Sequence, residues 1–253
     1  MTLADQIAAY LPSALRSPLK QLRDYVRFRS VGLQRSSYDG HLEFLGSSYG
    51  GYVLPKHEIE RGAICYSFGA GEDISFESEL VAALPVEVHI FDPTPRAIAY
   101  VNGAIDALFE QKCAYVNRLH MHPWGVWSDD QEMKFYAPKN PTHVSHSVVN
   151  LQHTEEYFLA DCRRPSSIMA ALGHANITLV KLNIEGAEYE VIRTMFGEGI
   201  LPQVICINFD ELHTSIDSGA RQRLRGLVRQ FRDHHYIAIS AENCRATFVR
   251  RRA

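Results

Sequence analysis

The sequence predicts an α/β fold: a mostly parallel sheet with helices on both faces, an antiparallel C-terminal hairpin strand, and an N-terminal helical extension. Three observations predict it. From residue 62 onward, short apolar runs rich in β-branched and aromatic residues alternate with stretches of helical periodicity, as in strands joined by crossover helices. The runs read as buried strands, so the sheet is covered on both faces. The ending "YIAISAENCRATFVRR" places two strand-like runs around a short polar turn with no helix between them.

Taken in order, "LADQIAAYL" and "PLKQLRDYVRF" within residues 3–28 space their apolar residues by three and four, with Pro12 and Pro18 as punctuation, and predict two short helices. "SYDGHLEFLGSSYGGYVLP" is rich in glycine, serine and aromatics and predicts loops with a small hairpin. Residues 1–61 thus read as an extension and residues 62–253 as the main domain. Strands are expected at 63–69, 87–93, 119–128, 177–185 and 203–211, and helices near 76–84, 95–111, 165–173, 187–197 and 218–234. "MKFYAP", from Met133, is a further short hairpin partner.

Composition narrows the function classes. A chain of 253 residues with 46% hydrophobic and 22% charged residues has the make-up of a soluble globular protein, not of a disordered or membrane one. A net charge of −3 argues against nucleic-acid binding. The cluster Arg221, Arg223, Arg225 and Arg229 has the spacing of a solvated helix face. Five scattered cysteines without a C-x-x-C pair fit buried thiols in a reducing compartment. There is no leader-like N-terminus and no run of 18 apolar residues, so the expectation is a cytoplasmic protein with no membrane partner. The first 40 residues are available as a lid or as the arm of a homo-oligomer.

The segment "CYSFGAGEDISFESEL" sits at the first strand-to-helix turn, where open parallel sheets bind ligands. Gly69 and Gly71 allow a sharp turn and close approach to a ligand. A dinucleotide loop would want a third glycine near position 74, which is Ile74. Glu72, Asp73, Glu77 and Glu79 crowd the following helix N-terminus, where a pyrophosphate would otherwise bind. A ligand of positive character suits the loop better, and S-adenosylmethionine, with its sulfonium and ammonium groups, is the candidate. Glu72 or Glu77 would face the ammonium; each acid is equally read as a helix cap. Phe68, Ala70 and Phe76 complete the loop's expected cofactor contacts.

Asp92 ends the second strand, 21 residues after Gly71, where a carboxylate accepts hydrogen bonds from ribose hydroxyls of nicotinamide and adenosylmethionine cofactors alike. Pro93 and Thr94 lie beside it, and Asp-Pro-Thr-Pro also begins a helix well. Trp127, Ser128 and Asp129 in "HPWGVWSDD" either line an adenine pocket or form a tight turn. In "ITLVKLNIEGAEYEVI", Lys181, Asn183 and Glu185 alternate and so share one side of a strand. "FDELH" adds Asp210, Glu211 and His213. Glu185, Asp210 and Glu211 are hard oxygen donors that could hold a divalent metal such as Mg, form a general-base cluster, or hydrogen-bond one another at the sheet's rim.

In order, "GGYVLP", "YSFGAGEDISFE", "VHIFDPTP", "WGVWSDD", "SHS", "LVKLNIEGAEYEVI" and "ELH" resemble the FkbM-type family of S-adenosylmethionine-dependent methyltransferases, from about residue 49 to the end. The resemblance implies a Rossmann-like class I methyltransferase with a seven-stranded sheet whose last strand is antiparallel. It implies that Gly69 and Gly71 lie under the methionine part of the cofactor and that Asp92 takes the ribose. It also implies O-methylation of a hydroxyl on a sugar, polyketide or other secondary metabolite, hence a small-molecule or glycan acceptor. Asn183 departs from the family's Lys-x-Asp-x-Glu-Gly pattern, which moves attention to Glu185 and His213.

An alcohol acceptor must lose its proton as it attacks a methyl group, so a base belongs opposite the sulfonium. His213, Glu185 and His146 are the candidates, with Asn183 beside them and Glu211 orienting a partner. His143, in the loop of His146, and Tyr52, on the N-terminal side, are candidate substrate contacts. Two other readings stand against the O-methyltransferase: a nicotinamide-dependent oxidoreductase and a non-catalytic adenosylmethionine-binding or scaffolding protein.

Overall fold

The computed structural model describes residues 13–140, 146–150, 152–212 and 216–251, with side chains from residue 22 onward. Helix α1 (Ser13–Ser30) runs unbroken through Pro18. This corrects the expected second break: Pro18 falls in the second turn, where a missing N–H forfeits one intrahelical bond without ending the helix. The first expected helix, over residues 3–11, lies outside the described residues. A small antiparallel hairpin follows, β1 (Glu43–Leu45) with β2 (Tyr52–Leu54).

The main sheet is built from β3 (Ile64–Phe68), β4 (Glu87–Phe91), β5 (Leu119–His122), β9 (Leu179–Leu182), β10 (Val204–Asn208), β11 (Tyr236–Glu242) and β12 (Arg245–Arg250). Its seven strands run in the order β11-β12-β10-β9-β3-β4-β5. β9, β10, β3, β4 and β5 are mutually parallel. β12 inserts antiparallel between β10 and β11. The reversal of order between β3 and β9 is a topological switch point, where an open α/β sheet leaves a crevice beyond its strand ends.

Side-chain alternation along each strand feeds two cores. On one face Cys65, Val88, Ile90, Leu179 and Cys206 pack with α2 (Ser75–Ala83), α3 (Pro95–Glu110) and the β1–β2 hairpin. On the other, Tyr66, Phe68, Phe91, Val180 and Ile205 pack with α1, α4 (Pro165–Leu172), α5 (Glu188–Gly197) and α6 (Ala220–Asp233). All five cysteines are free and four are buried. No described helix is long and apolar enough to cross a membrane.

The expected strand 119–128 is two elements in different sheets. Pro123 lacks the N–H that would continue the ladder, so the chain leaves β5 and resumes as β6 (Gly125–Val126). β6 joins β7 (Gln131–Tyr136) and β8 (Tyr157–Arg163) in a three-stranded sheet of order β6-β8-β7. β7 is the anticipated "MKFYAP" strand; its partner β8 is an addition, pairing antiparallel from Gln131↔Cys162 to Tyr136↔Tyr157.

Candidate functional site

At the C-terminal end of β3 the chain turns on Gly69, at φ +83°, and Gly71, at φ +54°. Gly69 has a second constraint besides its dihedral: a Cβ there would stand 1.9 Å from the Asn183 carbonyl oxygen. The turn is thus packed directly on the end of β9. Lys181, 2% exposed, reaches up from β9 and donates to the Gly69 carbonyl at 3.1 Å and to Glu77 Oε1 at 2.7 Å. Ser67 donates to the same Glu77 oxygen.

Asp92 fastens the other side of the turn. Its Oδ2 accepts the N–H groups of Ala70 at 2.9 Å and Gly71 at 3.0 Å, and Oδ1 accepts that of Thr94 at 2.9 Å. The carboxylate therefore anchors the glycine turn and closes an Asx-turn onto Thr94, the residue that precedes α3.

The third wall comes from the segment after β9. Glu185 takes a left-handed conformation, φ +53°, and Gly186 follows at φ +96°. Glu188, 1% exposed, holds this loop by accepting from Ile184 N and Gly186 N, both at 2.9 Å. Burial pushes its carboxyl up to about 7 against those two amide bonds, and nearby Glu185 pushes the same way. Asp210 lies in the same acid group; burial first, then Glu188 and Glu185, raise its carboxyl well above the ordinary aspartate value. A polar chain runs from it to the pocket: Asn208 Nδ2 donates to Asp210 Oδ1 at 2.5 Å and to Asn183 Oδ1 at 2.9 Å.

These walls line a cleft that is open to solvent on one side. It is lined by Gly69, Ala70, Gly71, Asp92, Pro93, Thr94, Asn183, Glu185 and His146, all sequence candidates. Tyr49, Phe91, Gly125, Val126, Phe135, Val148, Ile184 and Ala187 complete the lining and were not candidates. Of these, only the glycine-flanked aromatic Tyr49 in "GSSYGG" left a signal in the sequence. The described lining holds two carboxylates and no Lys or Arg.

Other candidates point elsewhere. Glu72 forms a two-oxygen ion pair with Arg96, at 2.9 and 2.8 Å. Asp73 accepts from Ser47 Oγ at 2.5 Å and Ser75 N at 2.9 Å. Burial alone would raise its carboxyl, but these hydrogen bonds hold it below the usual range. Glu77 is wholly buried under the sheet with Lys181, so it faces no ligand ammonium. Phe68 and Phe76 are core residues. Tyr52, 3% exposed, packs edge-on against Phe76 and does not line this pocket.

The adenine candidates are displaced as well. Trp127 N bonds to Arg163 O, and Ser128 donates to Asp129; the lining here is Gly125 and Val126, the two residues of β6 just before them. Glu211 is buried in an ion pair with Arg223 of α6. Among the described residues no group of three His, Cys, Asp or Glu side chains converges to hold a metal ion. His143 and His213 lie outside the described residues.

A family model of the methyltransferase FkbM domain matches residues 67–237. Among solved structures, the methyltransferase FkbM from Methylobacillus flagellatus is 13% identical, with a TM-score of 0.48, over 76% of this chain and 44% of its own. This chain thus spans under half of that protein's length. The cofactor-bound Rv0187 from MTB is 11% identical, with a TM-score of 0.42, over 92% of this chain and 90% of its own. No curated protein matches the sequence.

Proposed function

The chain belongs to the FkbM methyltransferase family, and from that premise we propose that it transfers a methyl group from S-adenosylmethionine to a hydroxyl oxygen of a sugar or secondary metabolite. One observation supports the cofactor choice above others: the pocket has carboxylates at Asp92 and Glu185 and no described Lys or Arg. A pyrophosphate needs cationic or free N–H donors, and the glycine turn's own N–H groups are already bonded to Asp92. The nicotinamide reading is disfavoured on both counts, whereas a sulfonium with an ammonium group fits.

In this reading the glycine turn and Glu185 hold the methionine portion, and Asp92 takes the ribose. A carboxylate offers about four acceptor sites; three of Asp92's are filled by amides, leaving room for one ribose hydroxyl rather than two. Gly125, Val126 and Phe135 give a flat apolar wall for adenine. The bound cofactor supplies an electrophilic methyl carbon. The chain's part is to hold the acceptor oxygen in line with it, exclude water and receive the proton.

His146 and Glu185 are the pocket-lining groups able to receive that proton, and His213, three residues past Asp210, completes the set to test. The variants H146A, E185Q and H213A, assayed with labelled adenosylmethionine on a panel of sugar and polyketide alcohols, separate them. Loss of the base lowers kcat by about 10²–10⁴ while cofactor affinity holds. Calorimetric titration comes first: adenosylmethionine binding with no NADH binding is expected, and the reverse result sinks the proposal. Asn183 favours a second reading, since it stands where the family pattern has Asp and its side chain is engaged by Asn208. Cofactor binding without turnover on any acceptor is the outcome that would select this non-catalytic role.

A further inference from the structure

Resting on that reading of the pocket, we propose that the turn at residues 46–51 is a fixed jaw of the site. The Tyr49 ring packs on the bound ligand at the pocket mouth, and Arg245 is the positioning residue that holds the turn presenting it. Tyr49 is 72% exposed, yet it lines the same cavity as Gly69, Asp92 and Asn183. Its neighbour Tyr52 is buried in the core. A large ring left on a pocket rim can still bury its face against a ligand.

The backbone that carries this ring is tied down at two remote places. On one side is the start of α2, directly after the glycine turn. Ser47 N donates to Ser75 Oγ at 2.7 Å, Ser47 Oγ donates to Asp73 Oδ2 at 2.5 Å, and Gly46 N donates to Glu79 Oε2 at 2.7 Å. Ser47 Oγ also accepts from Tyr49 N at 3.1 Å and Gly50 N at 2.9 Å. On the other side is β12: Arg245 donates Nη1 to the carbonyls of Tyr49 at 2.9 Å and Gly51 at 2.7 Å, and Nη2 to that of Ser48 at 2.9 Å. One guanidinium thus gathers three carbonyls of this turn, a use that its planar fork of donors suits.

The glycines make the clamp possible. A Cβ on Gly50 would stand 2.7 Å from Asp73 Oδ2, and one on Gly51 would stand 2.5 Å from the Leu45 carbonyl. Both ends of the clamp, Tyr49 and Arg245, fall outside residues 67–237, where the family domain matches. The jaw is therefore a part of the pocket supplied by the flanking segments of this chain.

The test is the dissociation constant of S-adenosylhomocysteine for the full chain, measured by calorimetry for wild type, Y49F, Y49A, R245Q and Y49A/R245Q. Y49F should bind within about twofold of wild type, and Y49A about tenfold more weakly, for loss of one ring contact. R245Q should lose several-fold, and the double variant no more than Y49A alone, because Arg245 acts through the ring. A wild-type affinity for Y49A, or a Y49F as weak as Y49A, overturns the ring contact. Losses that add in the double variant overturn the positioning role. If R245Q does not fold, S47A, which cuts the opposite tether, takes its place in the cycle with the same expectations. A wild-type chain that does not bind adenosylhomocysteine defeats the reading of the pocket and the jaw with it; binding by wild type with Y49A unaffected defeats the jaw alone.

Discussion

Lys181 and Glu77 form an ion pair with 2% and 0% of their side chains exposed, 2.7 Å apart, between the glycine turn and the sheet. Removing one member leaves the other charged and buried, which costs about 3–5 kcal/mol, whereas replacing both with apolar residues is often neutral. K181M should therefore fall by that amount in urea denaturation, and K181M/E77L should recover most of it; equal stability of K181M and wild type would refute the account. This pair also shows what was illegible at residue scale. The four acids of the first loop were read as ligand contacts or caps, yet each has a protein partner: Arg96 for Glu72, Ser47 for Asp73, Lys181 for Glu77 and Gly46 N for Glu79. A sequence places a carboxylate near a loop, but its direction is set by partners more than twenty residues away. The glycines were legible because their need is local: φ of +83° at Gly69 forbids most side chains whatever lies around it.

At the scale of elements, the edge of the main sheet carries a histidine cluster of which the sequence displays together only His120 and His122, in "HMH". Register aligns Tyr66 with His89 and His89 with His120 across β3, β4 and β5, and alternation brings His122 to the same face. His89 Nδ1 meets His122 Nε2 at 3.0 Å, His120 Nε2 meets Glu87 Oε2 at 2.9 Å, and the Tyr66 hydroxyl meets His174 Nδ1 at 2.7 Å. Burial, and then the neighbouring histidines His120, His174 and His122, lower His89 to about 3; burial, His120 and His174 lower His122 to about 4. Both pKa values lie below the unfolded histidine value, so protons bind the unfolded chain preferentially. The stability these neutral rings contribute is full above the ordinary histidine range near 6.5 and is lost as pH falls from there through about 4 and 3. The urea midpoint should drop steadily from pH 7 to pH 4.5, and H122F, whose ring keeps the stack on Phe91 and Trp124, should show a shallower drop. An unchanged slope would remove His122 from the explanation. The strands themselves were legible from their apolar runs; β8 was not, because "YFLADCR" is exposed on alternate residues and buries little, so it lacks the continuous apolar signature.

For the whole molecule, the order of the sheet decides which parts of the chain fold together. The family domain ends at residue 237, inside β11, yet β12 lies between β10 and β11 and bonds to both. Without β12 the sheet would lose two ladders, and Ala246, Phe248 and Val249, all within 2% of full burial, would leave Phe231 and Phe209 uncovered. The ring of Phe248 lies parallel to that of Phe231 with centroids 3.9 Å apart, so the loss is of specific packing as well as area. β10 would become a bare edge strand of apolar residues, "VICIN", which invites pairing between chains. A chain truncated after residue 243 is therefore expected to aggregate or to lack a cooperative thermal transition, and the isolated segment 67–237 to do the same. Restoring residues 244–251 should restore a single transition, since one antiparallel strand closes both gaps at once. A folded, monomeric 67–237 by light scattering and circular dichroism would show instead that the parallel strands suffice. The antiparallel terminal strand was legible from two strand-like runs without a helix between them; its place inside the sheet was not, because nothing in "NCRATFVRR" distinguishes an interior strand from an edge one until β10 offers it a partner.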